Sequence, residues 1–235
     1  MNENQFDFDS SYVRETLGSY TTRTFFWMFL GLLVTFSIAW WGAVSGFVWR
    51  MLYSVPGIQL VLLIAELAVV LVLSARIHKI QVTTARILFF AYAIITGVTF
   101  SVLFIAYDLG VLILCFGMTA VYFGAMALYG HFTKTDLCRL RPILVGGLLF
   151  LIVFGLLSLF LPLYNFERGI CLIGVAIFLG FTAYDTQKIR TYYNYYSGDT
   201  EMLEKASIIS ALELYLDFIN LFLYLVRILG SKKRN

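Results

Sequence analysis

ASIISALELYLDFINLFLYLVRIL (206–229) is a 24-residue, mostly apolar run. Ser207, Ser210, Glu213, Asp217, Asn220 and Tyr224 recur in it at steps of 3, 3, 4, 3 and 4. Such spacing is a helical repeat, so the six are expected to share one stripe of an otherwise apolar helix. A polar stripe on a helix of this kind has to face a bundle interior or a water-filled path. The segment is therefore expected at the centre of a helical bundle.

The rest of the chain supplies the bundle. Of 235 residues, 60% are hydrophobic and 13% charged, and the mean hydropathy is +0.85. Soluble domains carry roughly 25% charged residues, and a folded globule cannot hide this much apolar surface from water. Lipid can cover it. Further apolar runs lie at about 25–48, 58–75, 87–107, 111–130, 143–163 and 170–189. Each is long enough to cross ~30 Å of hydrocarbon at ~1.5 Å per residue. The expected fold is an all-α membrane protein of seven transmembrane helices, the seventh central and surrounded by the other six. Residues 1–23 read as a cytoplasmic tail, 24–230 as the transmembrane domain and 231–235 as a short basic tail. The polar start, with Glu3, Asp7, Asp9 and Glu15, does not have the basic opening and apolar core of a signal peptide.

Lys and Arg set the orientation. Eleven of them, from Arg14 through Arg76, Lys134 and Lys188 to Lys205, fall on the side of the N-terminus, against Arg50 and Arg168 on the other. The N-terminus is thus expected in the cytoplasm. Arg227, Lys232, Lys233 and Arg234 fit this rule only if the last segment dips and returns, or if the sixth does. Its length favours a full span. Trp27, Trp40, Trp41, Trp49 and the tyrosines at 192, 193, 195 and 196 suit interfacial belts. Gly42–Gly46 and Ala176–Gly180 have the small-xxx-small spacing of close helix packing.

Several functions are disfavoured. Cys115, Cys138 and Cys171 form no CxxC pair, and His78 and His131 are isolated, so neither a disulfide framework nor a histidine–cysteine metal site is expected. No basic stripe points to nucleic acid. No nucleotide loop, zinc motif, serine elbow or cofactor fingerprint is present, so neither an enzyme nor a bound cofactor is expected.

Ionisable groups at membrane depth cost at least ~2.5–3.5 kcal/mol each and call for a reason. Four acids qualify: Glu66 in LLIAELAVV (62–70), Asp185 near the end of the sixth segment, and Glu213 and Asp217 on the stripe. Two carboxyls held close cannot both ionise cheaply and share a proton. Asp185 and Asp217 meet in this way if the sixth and seventh helices pack together. Counted from the segment ends their depths differ by roughly 9 Å, a gap that extending the sixth helix through Tyr196 would close. The plainer reading hydrogen-bonds Glu213 and Asp217 to Asn220, Thr182 or a tyrosine, and pairs Asp185 with Lys188 or Arg190.

FLGFTAYDTQKIR (178–190), ALELYLDFINLFLYLVRILG (211–230) and TGVTFSVLFIAY (96–107) resemble the Bax inhibitor-1, or transmembrane Bax inhibitor motif, family. The likeness runs from about Tyr20 to the end and is nearest to the bacterial branch, which implies the inner membrane. It implies seven helices with the last one central, and a pH-sensitive calcium leak gated by two aspartates, here Asp185 and Asp217. Those two carboxylates would be the contacts for passing Ca²⁺, a hard ion that prefers oxygen ligands. An arginine that some members bring from the end of the second helix falls nearest Arg76, as part of a latch. Glu66, Glu213 and Asn220 are the further latch or path-lining candidates. Some bacterial relatives are instead partners of a membrane-bound AAA protease, which leaves a non-transporting regulatory role as the alternative.

Two other classes fit less well. An intramembrane aspartyl protease would need close-approach glycines where this chain has Leu214-Tyr215-Leu216-Asp217. A proton-coupled transporter would be expected to show inverted repeats and broken half-helices.

Overall fold

The computed structural model describes residues 15–55, 57–158, 160–162 and 166–230. Most of the expected N-terminal tail, including Arg14, and the basic 231–235 tail lie outside the described residues, as does the side chain of Trp49. Among the described residues, eight α-helices are formed: α1 Leu17–Val44, α2 Phe47–Ser54, α3 Ile58–Arg76, α4 Val82–Ala106, α5 Leu109–Phe132, α6 Arg141–Leu157, α7 Glu167–Tyr196 and α8 Thr200–Leu229. A 3-10 turn, Leu137–Leu140, leads into α6. Seven of the helices are long and apolar enough to cross a membrane, α2 being the short exception.

Local chemistry sets the ends. Thr16 Oγ1 accepts from the Ser19 amide at 3.2 Å and caps α1, so the helix opens inside the stretch read as a tail. The first apolar run breaks at Gly46, whose φ of +68° suits glycine and turns the chain into α2. Asp199 caps α8 by accepting from the Met202 amide at 3.0 Å, three residues after α7 ends. The two helices therefore form a tight antiparallel hairpin.

The expected centre is where it should be. In the most apolar window of α8, 67% of residues are buried, against 6% in α3 and 11% in the segment containing α6. α8 packs directly on α7, α1, α5 and α4. α3 rests on α4, and α6 on α7, and each shares the lining of a cavity with α8. Between lipid-facing helices the apolar drive is weak, so packing detail carries the association. Phe36 and Phe100 close on Phe222 at centroid distances of 5.5 and 6.0 Å, and Phe116 and Phe123 close on Phe218 at 5.4 and 5.5 Å.

The two small-residue pairs divide by role. Gly42 lies against Ser101 and Val48, and Gly180 against Leu144 of α6, so both are packing contacts. Gly46 is a turn residue instead.

Candidate functional site

α7 and α8 pair with side chains in a steady antiparallel register. Lys188 meets Glu213, Asp185 meets Asp217, and Phe178 stacks on Tyr224 at 5.9 Å. Three residues back along α7 correspond to four forward along α8, and the next seven to seven. α7 runs to Tyr196 as the depth argument required, but α8 also starts earlier, at Thr200. Added length alone would therefore leave the offset. The stagger of the helix pair about the 197–199 link closes it, and the Asp185 and Asp217 carboxyls come within side-chain hydrogen-bonding reach.

Both aspartates are buried, at 7% and 4% exposure. Lys188 Nζ stands 2.6 Å from Glu213 Oε1 and 3.9 Å from Asp185 Oδ1, with the Tyr192 and Tyr184 ring centres at 5.1 and 6.0 Å. One ammonium thus stands between two carboxyls, and the nearer aspartate in turn faces Asp217. Asp217 Oδ2 and Glu213 Oε2 are buried and find no donor among the described residues. The neutral partners proposed from sequence are engaged elsewhere: Thr182 donates to the Phe178 carbonyl at 2.8 Å and Asn220 to the Leu216 carbonyl at 2.8 Å. Arg190 donates to the His131 carbonyl at 2.7 Å and does not pair with Asp185.

Three cavities follow the same side of α8. One of about 240 Å³ is lined by Ser74, His78, Tyr192, Ala206 and Glu213. The next, an open-sided chamber of about 320 Å³, is lined by Arg141, Asp185, Lys188, Glu213, Asp217 and Asn220. The third, about 200 Å³, lies beside Glu167, Tyr224 and Arg227. From Ala206 to Arg227 is ~31 Å at ~1.5 Å per residue, close to the ~30 Å thickness of the hydrocarbon layer. The Lys188–Glu213 ion pair stands between the first and second cavities. The Phe178–Tyr224 stack, seated on Gly174, stands between the second and third. A larger cavity, about 500 Å³, lies toward α1 and α5 and has no ionisable lining group.

Other predicted residues fall elsewhere. Arg76 is exposed at the end of α3, and no ion pair joins it to the aspartates among the described residues, so the cation at the pair is Lys188. Glu66 accepts from Thr99 Oγ1 at 2.9 Å on the α3–α4 seam, away from the chamber. Ser207 bonds Thr24 of α1 at 3.0 Å. At ~100° per residue its two steps of three rotate it ~120° away from Glu213, and the stripe divides there. Among the described residues no three His, Cys, Asp or Glu side chains converge as metal ligands. Arg141 and the seat of Lys188 against Glu213 were missed. The motif does hint at the latter: Lys188 is three residues past Asp185, on the same helix face.

The sequence model of the family described as inhibitor of apoptosis-promoting Bax1 matches residues 17–234. The chain belongs to the Bax inhibitor-1 family. Among relatives in this family, inner membrane protein YbhL of Escherichia coli K12 is 40% identical over 221 residues, 94% of each chain. A protein of Deinococcus radiodurans is 39% identical over 215 residues, 91% of each chain. One of Borreliella burgdorferi is 34% identical over 216 residues, covering 92% of this chain and 93% of its own. As a Bax inhibitor-1 family protein, the chain has a membrane-spanning helical body, in which Asp185, Glu213 and Asp217 gather on the α7–α8 seam while Glu66 stands apart.

Proposed function

We propose that this protein is a pH-sensitive calcium leak of the bacterial inner membrane, gated by Asp185 and Asp217. The observation that carries the reading is the facing of these two buried carboxyls in the middle of three cavities ranged along α8. Family membership and the resemblance of both aspartate motifs support it. The name of the Escherichia coli relative supports the membrane assignment.

The mechanism follows from charge. A proton shared between the aspartates holds α7 to α8, and its loss or gain changes the seam by one unit of charge. Such a change biases an open–closed equilibrium whose states differ by only a few kcal/mol. Ca²⁺ is the cargo, met by carboxylate oxygen on its way through. Asn220 and Glu213 line the same route. Orientation with the N-terminus in the cytoplasm is part of the proposal. The ends of α1, α4, α7 and α8 joined by the Arg86–Glu204 ion pair and the Tyr193-to-Glu15 hydrogen bond lie together on the lysine- and arginine-rich side.

The test is Ca²⁺ flux into liposomes holding the purified protein, from pH 5 to 8. Wild type is expected to pass Ca²⁺ with a pH-dependent rate, and Asp185→Asn and Asp217→Asn to lose that dependence. No flux at any pH in this range sinks the proposal.

A further inference from the structure

The geometry points to Lys188 as a tethered counter-cation in the seat that a passing ion must take, and so as the residue that limits cation entry to the aspartate chamber. This inference rests on the leak reading.

Glu213 lines both the 240 Å³ cavity and the 320 Å³ chamber, and Lys188 lines the chamber beside it. An ion moving from one space to the other passes within contact of the Glu213 carboxylate. That carboxylate already carries the Lys188 ammonium at 2.6 Å. The ammonium is a compact charge on a flexible four-carbon stem, able to swing aside without unwinding a helix.

The seam keeps acceptor capacity beyond this one cation. Asp217 is 4% exposed, lines the chamber, and has an oxygen without a donor, as does Glu213. Arg141 also borders the chamber, from the start of α6, where it is exposed. Removing the Lys188 charge leaves a carboxylate-lined position open to a hard, oxygen-seeking cation. A purely structural role would differ: Lys188 would tie α7 to α8, and its loss would weaken the fold without changing how ions are handled.

The experiment uses the full chain as wild type, Lys188→Met, Lys188→Arg and the double variant Lys188→Met/Glu213→Gln. Two quantities are read: Ca²⁺ flux into liposomes at pH 5 to 8, and the shift in unfolding temperature that Ca²⁺ causes in detergent. Lys188→Met is expected to raise flux by about tenfold and to gain stabilisation by Ca²⁺ that wild type lacks. Lys188→Arg should behave as wild type, and the double variant should lose both gains. If Lys188→Met shows neither higher flux nor a new Ca²⁺-dependent shift, the inference is wrong. If wild type never conducts but Lys188→Met still gains the Ca²⁺ shift, the leak reading falls and the tethered-cation assignment stands. If wild type conducts and Lys188→Met gains nothing, the reverse holds. Should Lys188→Met not fold, Lys188→Gln takes its place with the same expectations.

Discussion

Toward α1 and α4, the central helix buries neutral groups that satisfy one another: Ser207 with Thr24 at 3.0 Å, and Tyr215 with Thr35 at 2.6 Å, Thr35 itself bonding the Ala93 carbonyl at 2.9 Å. Toward α7 and α6 it buries Asp217 against Asp185 and sets the half-buried Glu213 beside them, with Lys188 bridging Glu213 and Asp185. Phe89 and Tyr92 pack edge-on to Tyr215 on the first side, while cavities follow the second. These paired hydroxyls and ring contacts fix one geometry, although the buried hydroxyls of Tyr20, Thr96 and Ser210 on that side have no partner among the described residues. Carboxyl oxygens without a partner beside open volume cost stability and call for a functional reason. On the proposed leak reading, one helix serves as an anchor on one face and as a switch on the other.

The sharpest way to break this comparison is to neutralise the switch alone. Asp217→Asn keeps the side-chain volume and removes the shared proton, so the pH dependence of Ca²⁺ flux should vanish while the protein still folds. Deleting residues 1–14 should leave flux and its pH profile as they are. If instead a cellular phenotype survives Asp217→Asn and is lost with residues 1–14, a regulatory, partner-binding role replaces the leak.

Next in size is Glu213→Ala, which strips Lys188 of its nearer partner. Breaking a fully buried ion pair costs about 3–5 kcal/mol. With the two side chains 23% and 26% exposed, about 2 kcal/mol is expected, read from unfolding in detergent. The same truncation at Glu204, whose Arg86 partner is 41% exposed, should cost under about 1 kcal/mol. Equal losses at the two positions would erase the distinction between the seam and the surface.

Gly174→Ala tests the far end of the seam. A Cβ there would lie 2.6 Å from the Tyr224 ring, which must then turn off its stack with Phe178. Overpacking of this kind costs about 1–3 kcal/mol, and ring rotation should bring it to the lower end. The flux should change along with stability, because the stack separates two cavities.

These positions also show what could be read from the residues alone. Membrane spans depend on length and apolarity, which are local properties, so seven spans and a buried α8 followed directly. The register of Glu213, Asp217, Asn220 and Tyr224 also held, because 4-3-4 spacing keeps one face. Ser207 and Ser210 looked like part of the same stripe, but two successive steps of three drift around the helix, and Ser207 turned toward α1. Partner choice is non-local. Whether Arg76 or Lys188 supplies the cation depends on how α3 and α7 sit around α8, which spacing within a helix does not encode. The break at Gly46 was similarly hidden, since a glycine inside an apolar run reads equally well as packing or as a turn.

On the anchoring face the smallest effect is expected. Thr35→Val removes the donor to Ala93 and the partner of the Tyr215 hydroxyl while leaving the packing shape intact. Hydrogen bonds between helices in a membrane average ~0.6 kcal/mol, because the separated helices find other partners. A double-mutant cycle of Thr35→Val with Tyr215→Phe should return a coupling of about that size, with the flux–pH profile unmoved. Combining Thr35→Val with Asp217→Asn should be additive in stability, since the two contacts lie on opposite sides of α8 and share no partner. A coupling between them as large as that between Thr35 and Tyr215 would mean that the hydroxyl side moves with the carboxyl side, and that α8 turns as a unit when the seam changes charge.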